Sequence, residues 1–191
     1  GHEVVVLTRS GFRRARTVHW DGVNDGEWMY EIDGADVVVN LAGRTVNCRY
    51  TDKNLKDMLD SRVDSTRAVG RAIAQASKPP RVWLQMSTAT IYAHTYGAPN
   101  DEERGVIGGH EPDVPAYWKT SIDIAEAWEK ELEAALAAKT RKVALRTSMV
   151  MGREPTSVMG VLSKMSCLGL GGKIGDGLQF RDFTAATTCS T

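Results

Sequence analysis

Three apolar, β-branched runs in this 191-residue chain end abruptly in small or polar residues, and those endings are where chemistry can be placed. Asp36-Val37-Val38-Val39 runs into Asn40-Leu41-Ala42-Gly43, and Val82-Trp83-Leu84-Gln85-Met86 runs into Ser87-Thr88-Ala89-Thr90. Lys142-Val143-Ala144-Leu145 runs into Arg146-Thr147-Ser148. A strand that closes on small residues lets a ligand lie against the backbone. In open α/β sheets the ligand crevice lies outside the carboxyl ends of the strands, so Asn40, Leu41, Ala42 and Gly43 mark where a dinucleotide would pass. Ser87, Thr88 and Arg146 stand at the two neighbouring endings.

The elements that must position these residues alternate along the chain. Glu3 to Thr8 reads as a short strand closed by Arg9-Ser10-Gly11, and Arg16 to Trp20 reads as an edge-like strand ending at Asp21-Gly22. After the strand at 36–41, Leu55, Met58, Leu59, Val63, Val69 and Ile73 keep helical spacing from Asp52, taken as N-cap, to Ser77, and Lys78-Pro79-Pro80 stops the segment. The strand at 82–86 is followed by a loop rich in Gly, Pro and acids from about Tyr92 to Pro115, long enough to suggest a substrate lid. A second helix is expected over 117–138, with Ala125, Trp128, Leu132 and Leu136 on its packing stripe, before the strand at 142–147. Two strand-helix-strand units in series imply a parallel sheet with right-handed crossovers, an α/β fold.

Composition narrows the function classes. Lys+Arg and Asp+Glu both number 24, so no basic field favours nucleic acid or an anionic membrane surface. A small-molecule enzyme fits that balance. Cys48, Cys167 and Cys189 are odd in number and lack CxxC spacing, which argues against a disulfide framework and a zinc site and for a reducing, cytoplasmic setting. No apolar run approaches the roughly 20 residues of a membrane helix. His2, His19, His94 and His110 are scattered without metal-ligand spacing, so no metal is expected. Asp101-Glu102-Glu103 reads as a solvated loop cluster, and Gly169 to Gly177 lacks the GxxxxGK[ST] pattern of a phosphate loop.

In order and spacing, the segments Gly1-His2-Glu3-Val4 to Arg9, Val39 to Gly43, Ser61-Arg62 with Thr66, Ser87 to Tyr92, Trp128-Glu129, Leu145 to Gly152, and Leu168 to Gln179 resemble an extended short-chain dehydrogenase/reductase. Within that superfamily the chain is most similar to epimerase-like proteins of unsettled substrate. The resemblance implies a doubly wound, Rossmann-type sheet, with a dinucleotide-binding domain over 1–155 and the start of a substrate-binding region over 156–191. It also implies an NADP(H)-binding epimerase- or reductase-like oxidoreductase that transfers hydride on a small hydroxyl or carbonyl substrate. The alternative is an inactive nucleotide-binding sensor or scaffold. In this superfamily the residue after the second strand meets the adenosine ribose, and Thr8-Arg9-Ser10 offers a guanidinium and two hydroxyls. These suit a 2′-phosphate, so NADP is expected over NAD. Asn40, Leu41, Ala42, Gly43, Ser87 and Arg146 join Arg9 as expected cofactor-binding positions, and Thr88 falls where the family orients the substrate oxygen. The family's tyrosine four residues before a lysine is absent. Tyr117 is the candidate acid/base, but Ser121 follows it at four and Lys119 at two, so the pair converges only if both precede the helix. Otherwise Tyr117 and Trp118 form a hydrophobic helix start.

The same resemblance places a central first strand and its Gly-rich phosphate loop ahead of Gly1, which makes the chain look truncated. The strands at 3–8 and 36–41 would then each lack a partner. Unpaired buried backbone groups cost about 1–3 kcal/mol each, against a typical domain stability of about 5–15 kcal/mol. These 191 residues alone are therefore expected not to fold as a stable monomer. A cooperative thermal transition with a native-like near-UV signal would refute that expectation.

Overall fold

The computed structural model describes residues 1–11, 15–95, 98–112, 114–152, 157–172 and 183–185. Its strands are β1 (Val5–Thr8), β2 (Arg16–His19), β3 (Val37–Asn40), β4 (Val82–Thr88), β5 (Arg141–Thr147), β6 (Met149–Met151) and β7 (Phe183–Ala185). Its helices are α1 (Asp52–Gln75), α2 (Ala116–Ala134) and α3 (Val158–Cys167). The order β3-α1-β4-α2-β5 is the alternation expected from sequence. β3, β4 and β5 form a three-stranded parallel sheet in which Val37 faces Val82 and Val82 faces Arg141. β1 and β2 form a second parallel pair, with Val5 opposite Arg16, and β6 pairs with β7. Among the described residues β1 bonds only to β2 and β3 only to β4, so each keeps one open edge. In the expected substrate region at 156–191, residues 173–182, which include the end of the Gly-rich segment, and residues 186–191, which include Cys189, lie outside the described residues.

One continuous core joins the two sheets. Val38 of β3 and Trp83 of β4 bury against Ala68, Val69, Ala72 and Ile73 of α1 and Leu132 of α2, while Leu7 and Val18 reach the same cluster beside Trp20 and Trp28. Gly70 lets the layers close, because a Cβ there would stand 3.0 Å from the Cβ of Ala135 and 3.6 Å from the Trp83 ring. The opposite face of β3 is more open, with Val37 and Val39 about half exposed. Between β2 and β3, the Asp21 carboxylate accepts from the amides of Val23 and Asn24 and from the Asn24 side chain, which pull its pKa down to about 2. That turn seats Trp28 against Trp20 at 4.7 Å between ring centroids.

The helix limits differ from expectation for local reasons. Thr51, not Asp52, caps α1, its hydroxyl accepting from the Asn54 amide, and Asp52 becomes the first helical residue, where its charge meets the positive end of the helix. α2 ends at Ala134, because Ala135 turns extended and Lys142 donates to the carbonyls of Glu133 and Ala135. Leu136 thus leaves the helical period and stands 84% exposed, whereas Ala125, Trp128 and Leu132 bury as the stripe requires. Where α1 and α2 meet, the buried Trp128 indole donates to Thr66 Oγ1 at 3.0 Å, and Thr66 in turn donates to the Arg62 carbonyl.

These contacts rank two substitutions. Trp83→Ala empties the centre of the core and is expected to cost about 3–5 kcal/mol, whereas Trp128→Phe keeps most of the volume but loses one buried hydrogen bond, about 1 kcal/mol. Urea unfolding of the full-length protein measures both, and equal losses would contradict the ranking.

Candidate functional site

Because β3, β4 and β5 run parallel, their carboxyl ends share one edge, along which Asn40 to Gly43, Ser87, Thr88 and Arg146 fall. Asn40 is buried at the end of β3, where its amide donates to Gln85 Oε1 of β4 at 3.0 Å and its own Oδ1 accepts from the Ala42 amide, also at 3.0 Å. One side chain thus ties two strands and shapes the turn that carries Leu41, Ala42 and Gly43. Leu41 is exposed. Gly43 passes close over Arg62, for a Cβ there would lie 3.4 Å from the guanidinium carbon. Arg62 stacks on Trp128 at 5.0 Å and donates to the Met58 carbonyl, while its burial lowers its pKa from the ordinary arginine value. Next along, the Arg44 amide donates to Ser61, and its guanidinium pairs with Asp57 and Asn54 of α1.

At the end of β4 the pleat separates two neighbours. Trp83, Gln85 and Ser87 alternate onto the buried face, and Ser87 Oγ donates to Glu129 of α2 at 2.5 Å. Thr88 points the other way: its hydroxyl donates to Thr90 Oγ1 at 3.0 Å, accepts from the Thr90 amide and caps the short turn Ala89–Ile91. At the end of β5, Arg146 grips both oxygens of Glu129, at 2.9 and 2.7 Å, and donates a third hydrogen bond to the Tyr92 hydroxyl at 2.9 Å. Its guanidinium also covers the Tyr92 ring at 4.9 Å. Burial pushes the Glu129 carboxyl up, but the hydrogen bonds from Arg146 and Ser87 outweigh it, and the net pKa lies below the ordinary value. The same ion pair, led by the hydrogen bonds that Arg146 donates to Glu129, raises the Arg146 pKa.

At β1, the Ser10 amide donates to Thr8 Oγ1, and Thr8, Arg9, Ser10 and Gly11 line an open concavity of about 110 Å³ with Thr17, Val18 and His19 of β2. Arg9 takes part in none of the ion pairs formed among the described residues. Tyr117 and Lys119 both fall inside α2, so two residues of spacing send them to different faces. Tyr117 is 63% exposed and Lys119 pairs with Asp123, so the convergence that a loop would have permitted does not occur. Tyr96, by sequence another candidate proton donor beside Thr88, lies outside the described residues.

Sequence reading assigned no site role to Glu129 or Arg62, although both lie in segments that carry the resemblance, and weighed Tyr92 only as a proton donor beside Thr88. A signal existed for the first: strict alternation along β4 sends Ser87 toward the helical layer, where Glu129 directly follows Trp128 of the buried stripe. Tyr92 and Arg146, 54 residues apart, carry no such signal. Among the described residues no group of three His, Cys, Asp or Glu side chains could hold a metal ion, and no helix is long and apolar enough to cross a membrane.

Comparison with known proteins agrees with this architecture. The bovine epimerase family protein SDR39U1 is 30% identical over 184 residues, covering 94% of this chain and 56% of the relative. The chain therefore spans a little over half the length of such curated relatives. The crystal structure of human SDR39U1 (isoform 2) with NADPH superposes with a TM-score of 0.78 at 28% identity, covering 97% of this chain and 58% of that one. MoeE5 in complex with UDP-glucose and NAD shares the fold, with a TM-score of 0.71 at 22% identity over 97% of this chain and 60% of that one. The model of the NAD-dependent epimerase/dehydratase family matches residues 1–187. With a parallel sheet beneath it and small, polar residues along its strand ends, this chain belongs to the NAD-dependent epimerase/dehydratase family.

Proposed function

We propose that the chain binds NADP(H) along the carboxyl ends of β1, β3 and β4 and belongs to an oxidoreductase acting on a small hydroxyl or carbonyl compound. The observation that carries this reading is the concavity at the end of β1. There Arg9 stands outside the ion pairs of the described residues, next to the hydroxyl-bearing Thr8 and Ser10. A guanidinium with adjacent hydroxyls and backbone amides suits a phosphate monoester. NADPH bound to the human relative supports the same cofactor here, and family membership does not favour a sensor or scaffold.

From this edge each residue has a task. Arg9 holds the 2′-phosphate. Asn40 fixes the turn so that the backbone of Leu41, Ala42 and Gly43 lies flat against the nucleotide, with Arg62 filling the space under Gly43. When bound, the nicotinamide supplies hydride chemistry at a carbon bearing oxygen. Thr88, paired with Thr90, orients that oxygen. Ser87 and Arg146 act at the same edge through Glu129, holding the ends of β4 and β5 level.

The test is NADPH fluorescence titration of the full-length protein. Arg9→Ala is expected to weaken NADPH binding by about 10–100-fold, the value of charge-assisted phosphate contacts, with a much smaller change for NAD. Equal wild-type affinity for both cofactors would overturn the phosphate assignment. No binding by the folded protein would overturn the cofactor reading altogether.

A further inference from the structure

The loop that follows β4 is fastened at its root. Tyr92 forms an antiparallel bridge with Ile107, the Ala93 amide donates to the Val106 carbonyl at 2.7 Å, and the Gly108 amide donates to the Ile91 carbonyl at 2.9 Å. Two glycines let it lie down. A Cβ on Gly105 would come within 2.3 Å of Tyr92 Cε1, and one on Gly108 within 2.9 Å of the Ile122 side chain of α2. The Tyr92 ring therefore has Gly105 against it and the Arg146 guanidinium over it, and Arg146 is held in turn by both oxygens of Glu129.

These contacts form a chain of four parts: a carboxylate on α2, a guanidinium on β5, a phenol after β4, and a loop backbone seated on that phenol. Each end lies on a different element, and the second link is a planar fork with its donors fixed in direction. Arg146 cannot satisfy Glu129 and Tyr92 together unless the loop root stands at one height above the strand ends. We propose that Glu129 is a positioning residue that sets, through Arg146 and Tyr92, where the loop root formed by Tyr92–Ala93 and Val106–Gly108 stands at the end of β4 beyond Thr88. The proposal builds on the reading of these strand ends as the functional edge, but the relay itself does not require a bound cofactor.

Native-state amide exchange of the full-length protein tests it, comparing Glu129→Gln, Tyr92→Phe and the double variant. Glu131→Gln, which breaks the exposed Arg67–Glu131 pair on the same helix, serves as the control. Each single variant is expected to speed exchange of the Ala93 and Gly108 amides by at least about fivefold while Val69 and Ile73 of α1 and the control stay unchanged. If Arg146 relays the effect, the double variant exchanges no faster than the larger single one, within about twofold. Unchanged loop exchange would overturn the proposal. So would acceleration of α1 in parallel with the loop, which marks a merely structural ion pair, or effects that multiply in the double variant. NADPH titration of the same samples separates the two readings: wild type that fails to bind NADPH removes the cofactor assignment and leaves the exchange result standing.

Discussion

The indole of Trp83, enclosed near the start of β4, sets the spacing on which the other layers depend. Its ring lies against the helix backbone at Gly70, so α1 can approach the sheet only as closely as that contact allows, and α2 follows because Ala135 meets the same glycine. With that spacing fixed, the Trp128 indole reaches Thr66 at 3.0 Å, and Glu129, one residue on, arrives opposite Ser87 and Arg146. A hydrophobic contact near the bottom of the sheet thereby determines the polar geometry at its top.

The site edge itself follows from strand direction. Parallel pairing delivers all carboxyl ends to one side, so residues that are 106 positions apart, Asn40 and Arg146, serve the same rim. Most of the polar side chains there bond to one another: Asn40 to Gln85, Thr88 to Thr90, Ser87 and Arg146 to Glu129. Arg9 stands apart from these clusters, at the end of the smaller β1–β2 sheet, where it lines a concavity with Thr8, Ser10 and Gly11.

Much of this was legible in the chain before any coordinates. β-branched runs closed by small residues located β3, β4 and β5, and apolar spacing located α1 and α2 to within a few residues, because burial on one face imposes a period that sequence displays directly. Capping was less legible. Thr51 and Asp52 are both good caps, and only the hydrogen bond to Asn54 selects between them. The end of α2 was misplaced because Leu136 continues the helical period by residue type, while the competing interaction, Lys142 bonding the terminal carbonyls, comes from the next strand. The role of Ser87 was half legible: its identity and position pointed to the functional edge, but its direction depended on the pleat. Links such as Arg146 to Tyr92 join residues far apart in the chain and leave no local period to read.

Gly105 and Gly108 hold their segment down by lacking side chains, and that has a consequence for how this protein can diverge. A methyl group at Gly105 would collide with Tyr92 and with the Asp101 carbonyl, so the first step of almost any substitution there is blocked by backbone as well as ring. Just before Gly105, Glu102, Glu103 and Arg104 are exposed, while Asn100 and Asp101 are occupied in bonding the loop's own backbone. Glu102, Glu103 and Arg104 are thus positions where new side chains can be tried without unseating what lies beneath.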